Sequence, residues 1–233
     1  TCALDIDGSV WCWGQNEHGQ LGDGTTVSHT APVRVAVPAL VNHVAAGAFF
    51  TCAATSGGTV FCWGINSSGQ LGIGTQSQYE SEPASVAGIH SATRVTAGWM
   101  HACALLNSGE VYCWGNNAIG QIGDGTTTNR LSPVAVQSLF SVTKISAANY
   151  HTCAMSSMGA AFCWGDNEYG QLGDGTTITR TAPVSVQFSG LNTILDISAG
   201  GNTHSCAILD DGSAACWGQN EHGQLGDGTT VSH

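Results

Sequence analysis

The chain has 233 residues, of which only 9% are charged, against about 25% in an ordinary globular protein, while 32 are glycine. Sixteen Asp and Glu stand against five Lys and Arg, a net charge of −11, and so few cations to neutralise phosphates make nucleic acid an unfit partner. No apolar run approaches the roughly 18–20 residues that a membrane-spanning helix needs, and long helical periodicity is missing, so short strands and tight turns are expected.

The first residues, Thr1-Cys2-Ala3-Leu4, already lie inside a repeat, so the chain reads as a mature product or an excerpt. A hairpin is expected at 1–14 and returns at 51–64, 102–115, 152–165 and 205–218. Each carries a C-x9-C pair: Cys2 with Cys12, Cys52 with Cys62, Cys103 with Cys113, Cys153 with Cys163 and Cys206 with Cys216. The midpoint of every pair precedes a glycine, as in Asp7-Gly8 and Ser108-Gly109, which supplies the positive φ of a three-residue hairpin loop with a bulge. Equal arms then set the two cysteines opposite one another, within disulfide reach. Zinc is the rival, but it favours C-x2-C knuckles and the chain has none; reduced buried thiols are the remaining alternative. With no cysteine left over, five cross-strand disulfides are expected, and with them an oxidising, extracellular location.

After each hairpin comes a Gly-rich turn, W-G-x-N-x-x-G-Q-[LI]-G, then a Pro-Val or Pro-Ala segment at Pro32, Pro83, Pro133 and Pro183, then an apolar segment leading to the next hairpin. The second cysteines lie 50, 51, 50 and 53 residues apart, a period typical of propellers and solenoids. Four short strands per unit is the composition of a propeller blade.

The runs Ala97-Gly98-Trp99-Met100-His101-Ala102-Cys103-Ala104-Leu105 and Trp114-Gly115-Asn116-Asn117-Ala118-Ile119-Gly120-Gln121-Ile122-Gly123 resemble the repeat of the regulator of chromosome condensation family. The resemblance covers the whole chain. It implies an all-β fold of blades of four antiparallel strands, and the cysteines with the trailing G-D-G-T-T are similar to secreted bacterial members. Two positions depart from the pattern: Phe50 stands where His101, His151 and His204 stand, and Ile73 replaces the Asp of G-D-G. Residues 1–233 read as a single array of about four blades plus one extra hairpin, either an incomplete ring or part of a longer array. Cys12–His29 and Cys216–His233 are identical over 18 residues, whereas Cys163–Arg180 keeps 13 of those 18. A higher-order repeat of 204 residues, with the last hairpin pairing outside this chain, is therefore expected; the alternative is an overlap incidental to the boundaries of the sequence.

Few residues invite a chemical role. His101, His151 and His204 recur at one site, but equivalent sites on neighbouring blades lie too far apart to share a metal, so imidazoles bonding one blade to the next are expected. Asp23, Asp124, Asp174 and Asp227 sit singly in G-D-G-T turns; calcium loops need several oxygens, so calcium is at most weakly held, and turn chemistry accounts for one Asp each. Gly22-Asp23-Gly24 lacks the following helix of a phosphate cradle, and no nucleophile motif occurs. No cofactor and no catalytic residue are expected. Asn66-Ser67-Ser68 is a glycosylation sequon.

The variable positions are the informative ones. Phe49, Phe50, Trp99, Met100 and Tyr150 precede the strand cysteines, and His18, Ile119, Tyr169 and His222 vary inside the W-G-x-N-x-x-G turn. On one face of a propeller they would form arcs with the character of protein-binding anchors; packing between blades is the alternative for the aromatics. A non-enzymatic extracellular module that binds proteins or assembles with itself through its terminal hairpins is expected. A secreted inhibitor acting through an aromatic loop face, which the resemblance makes possible, comes next, and a chromatin-associated exchange factor last.

Overall fold

The computed structural model describes residues 1–187 and 193–233. Among them there is no helix; eighteen strands form five antiparallel sheets of three or four strands. The chain divides into two compact units, one of residues 1–116 and 129–135, the other of 117–128 and 136–233.

The first unit holds three sheets. The first is β1 (Cys2–Leu4), β2 (Val10–Gly14) and β3 (His29–Val35). The second is β4 (Val41–Ala46), β5 (Phe50–Thr55), β6 (Val60–Ile65) and β7 (Tyr79–Ser85). The third is β8 (Ala92–Ala97), β9 (His101–Leu106), β10 (Val111–Gly115) and β11 (Arg130–Ala135). The second unit holds β12 (Val142–Ala147), β13 (His151–Ser156), β14 (Ala161–Gly165) and β15 (Arg180–Ser185), then β16 (Ile194–Gly200), β17 (His204–Leu209) and β18 (Ala214–Gly218).

The hairpin register follows from the tips. Gly8 donates to the Asp5 carbonyl at 3.0 Å and takes φ +81°, closing the three-residue loop. Counting back along equal arms pairs Cys2 with Cys12. In the same way Cys52 faces Cys62, Cys103 faces Cys113, Cys153 faces Cys163 and Cys206 faces Cys216. All five pairs are disulfides with Cα atoms 4.1 Å apart, as the spacing predicts.

The outer strands begin earlier than the Pro-Val segments suggest. In β15, Arg180 pairs with Gly165 and Val184 with Cys163, leaving Thr181 to Pro183 opposite a single residue, Trp164. The same bulge recurs at Pro32, Pro83 and Pro133, where Cys12 faces Val33, Cys62 faces Ala84 and Cys113 faces Val134. Proline has no N–H to give a ladder, so a bulge is where a sheet tolerates it.

The tryptophan that follows the second cysteine of each of the last four hairpins, Trp63, Trp114, Trp164 and Trp217, reaches past its own sheet. In the first unit the Trp63 indole donates to the Gln20 carbonyl at 3.1 Å and Trp114 to Gln70 at 2.9 Å. In the second, Trp164 donates to Gln121 and Trp217 to Gln171, both at 2.9 Å. The acceptor lies in the turn of the preceding repeat, and each of these contacts joins residues of one unit. Gly72 has φ +67° and lies so close to Trp114 that a Cβ there would sit 2.7 Å from the indole. Trp63, Trp114 and Trp164 are fully buried; Trp114 packs with Leu71, Cys52 and Cys62, Trp63 with Leu21 and Cys12, and Trp217 with Leu172, Cys153 and Cys163 in the apolar clusters.

Candidate functional site

One buried asparagine organises each turn. Asn117 donates from Nδ2 to Asp124 Oδ1 at 3.1 Å and to the Thr126 carbonyl at 3.0 Å, while its Oδ1 accepts the Ile122 amide at 3.0 Å. Asn16, Asn167 and Asn220 repeat the pattern. All of these side chains are buried, so saturating their hydrogen bonds is what makes their burial tolerable. Asn66 occupies the same position, donating to the Thr75 carbonyl at 3.0 Å and to Ser77 at 3.1 Å with no exposed surface. The sequon at Asn66 is therefore closed in the folded protein, because the nitrogen that would carry a glycan is committed inside the turn.

The aspartates of the G-D-G-T turns serve this hub. Asp23 Oδ1 accepts the Thr25 amide at 3.0 Å and its hydroxyl at 2.9 Å, and Oδ2 faces His29 Nε2 at 3.0 Å. Burial pushes the Asp23 carboxyl up, but the Thr25 hydroxyl and amide, Asn16 and the charge of His29 together hold it below its ordinary value. Asp174 is held down likewise against its burial, by Thr176, Arg180 and Asn167, with Arg180 at 2.7 Å. Sequence reasoning misses this partner six residues downstream, although its signal is present. Where Ile73 replaces the acid, Glu80 replaces the cation and bonds Ser77 instead.

The histidine site is a structural relay. His151 Nε2 lies 2.8 Å from Ser205 Oγ, and Ser205 donates to the Gln171 carbonyl at 2.9 Å. The serine proton is committed to that carbonyl, so the imidazole must donate, which disqualifies the pair as nucleophile and base. Both side chains are fully buried. The bond goes to a hydroxyl of the next sheet, on β17, and only through it to backbone, one step longer than expected from the sequence. His101 is entirely buried, and loss of hydration lowers its pKa from 6.5 to about 4. His204 lies over its own Gly200, where a Cβ would meet the ring at 2.6 Å. Among the described residues no three His, Cys, Asp or Glu side chains gather as a metal site.

The variable loops divide by burial. In the first unit Phe50 is 1% exposed and packed within the core cluster that includes Ala102, so it is not a surface anchor. A large apolar ring replacing the imidazole is drawn into the dry space between sheets. Phe49 is half-buried, its ring meeting His18 edge-on at 5.4 Å. Trp99 is 36% exposed and Met100 half-buried beside it. The two loops touch, since a Cβ on Gly47 would lie 2.6 Å from the Gly98 carbonyl. In the second unit Ile119, Tyr150 and Tyr169 are half-buried and His222 is exposed. There the Asn149 amide donates to the Gly201 carbonyl at 3.1 Å and the Asn149 side chain bonds Asn202, joining consecutive loops.

The structure also exposes apolar residues that periodicity does not mark. Phe140 is 79% and Met158 84% exposed, and Ser157 donates to the Ser141 carbonyl at 2.8 Å, which brings hairpin tip and loop together. The signal in the sequence is slight: Phe140 stands where His90 and Ala39 stand in other repeats.

Sheets of this form, with a glycine-framed turn that accepts the next sheet's tryptophan, define a repeat protein of propeller-type blades. The profile of the RCC1-like domain matches residues 1–233, and the chain belongs to that family. It is 32% identical over 232 residues to the ultraviolet-B receptor UVR8 of Arabidopsis thaliana, covering 98% of this chain and 41% of that protein. It is 29% identical over 131 residues to the human E3 ubiquitin-protein ligase HERC2, covering 54% of this chain and 3% of the ligase. The chain thus spans well under half the length of these relatives. Among solved structures, yeast RCC1 (Prp20) bound to Kap60 superposes with a TM-score of 0.83 at 21% identity, over 99% of this chain and 56% of that one.

Proposed function

We propose that the chain is a non-enzymatic, extracellular protein-interaction module that binds its partner through the loop face carrying Trp99. The carrying observation is the division just described: Phe50 is sealed in the core while Trp99, in the equivalent loop of the next repeat, keeps 36% of its surface in solvent with Met100 beside it. Tryptophan and methionine at an accessible rim are the residues that supply binding energy at interfaces. Five disulfides favour an oxidising, extracellular setting. Kinship also supports the reading: the yeast structure is of RCC1 held by another protein. The sealed His151–Ser205 pair leaves nothing to act as a nucleophile there, and sixteen carboxylates against five cations disfavour nucleic acid.

The test is capture from the medium surrounding the source cells with wild type and Trp99→Ala. A partner retained by wild type and reduced at least tenfold by the variant, at equal melting temperature, supports the reading. Equal retention by both sinks it. A captured secreted enzyme whose activity falls on binding would make the module an inhibitor.

Self-association is the second reading. It is favoured by the identity of Cys12–His29 and Cys216–His233, which gives two turns of the array the same surface.

A further inference from the structure

We infer that His43 and Arg94, on neighbouring strands of the first unit, form a binding site for one carboxylate supplied from outside the chain. The inference rests neither on the Trp99 face nor on self-association. β4 and β8 are the first strands of their sheets and pack side by side. Each is bulged at its second residue, Asn42 and Thr93, so that His43 faces Ala54 and Arg94 faces Leu105. A bulge re-aims the side chain beside it, and here it does so at the same position of two successive sheets.

The second unit shows what this position brings together. β12 and β16 pack in the same way, with bulges at Thr143 and Leu195, and the residues that follow are Lys144 and Asp196. There the Lys144 ammonium donates to the Asp196 carboxylate, closing an ion pair from one sheet to the next. In the first unit the same two positions hold two bases and no acid. Burial lowers the pKa of His43, and the charge of Arg94 lowers it further, which puts the guanidinium within electrostatic reach of the ring. His43 Nδ1 is shut away from solvent without a hydrogen-bond partner among the described residues, a costly state for a ring nitrogen. Arg94 is exposed and, unlike Lys144 and Arg180, sits on no carboxylate among the described residues.

A carboxylate satisfies both groups at once. The guanidinium offers two parallel N–H donors to its two oxygens, and the imidazolium offers another. The ligand thus supplies the acid that Asp196 supplies in the second unit. Its negative charge reverses the effect of Arg94 on the ring, so His43 takes up a proton as the carboxylate arrives. Affinity therefore rises as pH falls through the titration of His43, then declines once the ligand itself protonates at about pH 4–5. No other ionisable group on the strands packed here competes. β1 and β5 carry none besides paired cysteines, and β9 carries only His101, which faces Gly115 at the far end of that strand from Leu105. The carboxylate has two possible sources, a small free acid or the Asp or Glu side chain of a bound peptide.

The experiment uses acetate as the probe and follows the His43 imidazole of the full chain by NMR as pH is varied. The signal is assigned by its loss in His43→Gln or, should that variant not fold, by the shift that Arg94→Gln causes. Saturating acetate is expected to raise the midpoint of His43 by about 0.5 pH unit relative to chloride at equal ionic strength. Arg94→Gln raises the midpoint in chloride, because the neighbouring cation is gone, and abolishes the response to acetate. Arg94→Asp, which copies Asp196, raises it further and is equally indifferent to acetate. Arg94 is exposed, so both variants keep the fold. A short peptide with a single Asp, compared with its Asn analogue, then assigns the source. A response at a markedly lower concentration than acetate's identifies the side chain of a bound peptide, and one no stronger than acetate's identifies a free acid. No acetate response in the wild type, or a response undiminished by Arg94→Gln, overturns the proposal. Trp99→Ala leaves all of these unchanged, so each reading fails separately.

Discussion

The indole of Trp114 donates to the Gln70 carbonyl at 2.9 Å, crossing from one sheet to the turn of the sheet before it. Both groups are buried, so removing the donor strands a carbonyl in a dry interface. Trp114→Phe keeps most of the apolar area and is expected to cost about 1–3 kcal/mol. Gly72→Ala forces a Cβ against the same indole from a positive-φ position and is expected to lower the melting temperature more than Trp114→Phe does. Calorimetry of the two variants ranks them.

His101 gives the fold a pH dependence. Its pKa falls from 6.5 in the unfolded chain to about 4 through loss of hydration. Between those values the unfolded chain binds the extra proton, so stability rises with pH across this window and is level with respect to this group above it. The change amounts to at most about 3 kcal/mol. His101→Phe, which copies Phe50, should flatten chemical-denaturation midpoints between pH 4 and 6.5. An unchanged slope would refute the assignment.

Below that window the carboxyls take over. Asp174 and Asp23 are held below their ordinary values, so what they contribute is present above about pH 4 and is lost as pH falls through their lowered folded values. Asp174→Asn should lower stability at pH 7 and make acid melting curves shallower below about pH 4.

Phe50 and Ala102 replace together what His151 and Ser205 do elsewhere. Phe50→His alone places an imidazole in the core facing a methyl group, at a cost of about 1–3 kcal/mol. Ala102→Ser should recover part of that cost only when combined with Phe50→His, because Ser205 shows the hydroxyl bridging imidazole and carbonyl. A double-mutant cycle reads the coupling, and additive effects would disprove the relay.

Expression in a glycosylating host should leave Asn66 bare, since its Nδ2 is bound to Thr75 and Ser77 inside the turn. Intact mass reports a single glycan directly. Removing one disulfide, by Cys103→Ala together with Cys113→Ala, should cost about 2–3 kcal/mol through the short loop it closes, plus the packing of two buried sulfurs. The equivalent pair Cys52 and Cys62 is as deeply buried and closes a loop of the same length, so its removal should cost a similar amount.

Much of the fold was legible because its causes are local. A glycine just past the midpoint between two cysteines sets a hairpin register within ten residues, and the repeat of Trp and Gly at fixed offsets announces one unit used again. What stayed illegible depends on the neighbouring sheet. Phe49 and Phe50 are adjacent in sequence and alike in chemistry, yet one lies at the surface against His18 and the other is sealed among core residues. Asn66 carries a sequon in one dimension and is a buried hub in three.

The sequence by itself determined the repeat, the hairpin pairings and the cysteine partners, because each is a matter of spacing along the chain. The tertiary structure decided which side chains face solvent, that a glutamine's main-chain carbonyl is the acceptor for the next tryptophan, and that Ser205 faces His151 of the preceding sheet. Those contacts join residues 43 to 54 positions apart, and their geometry exists only once successive sheets have packed.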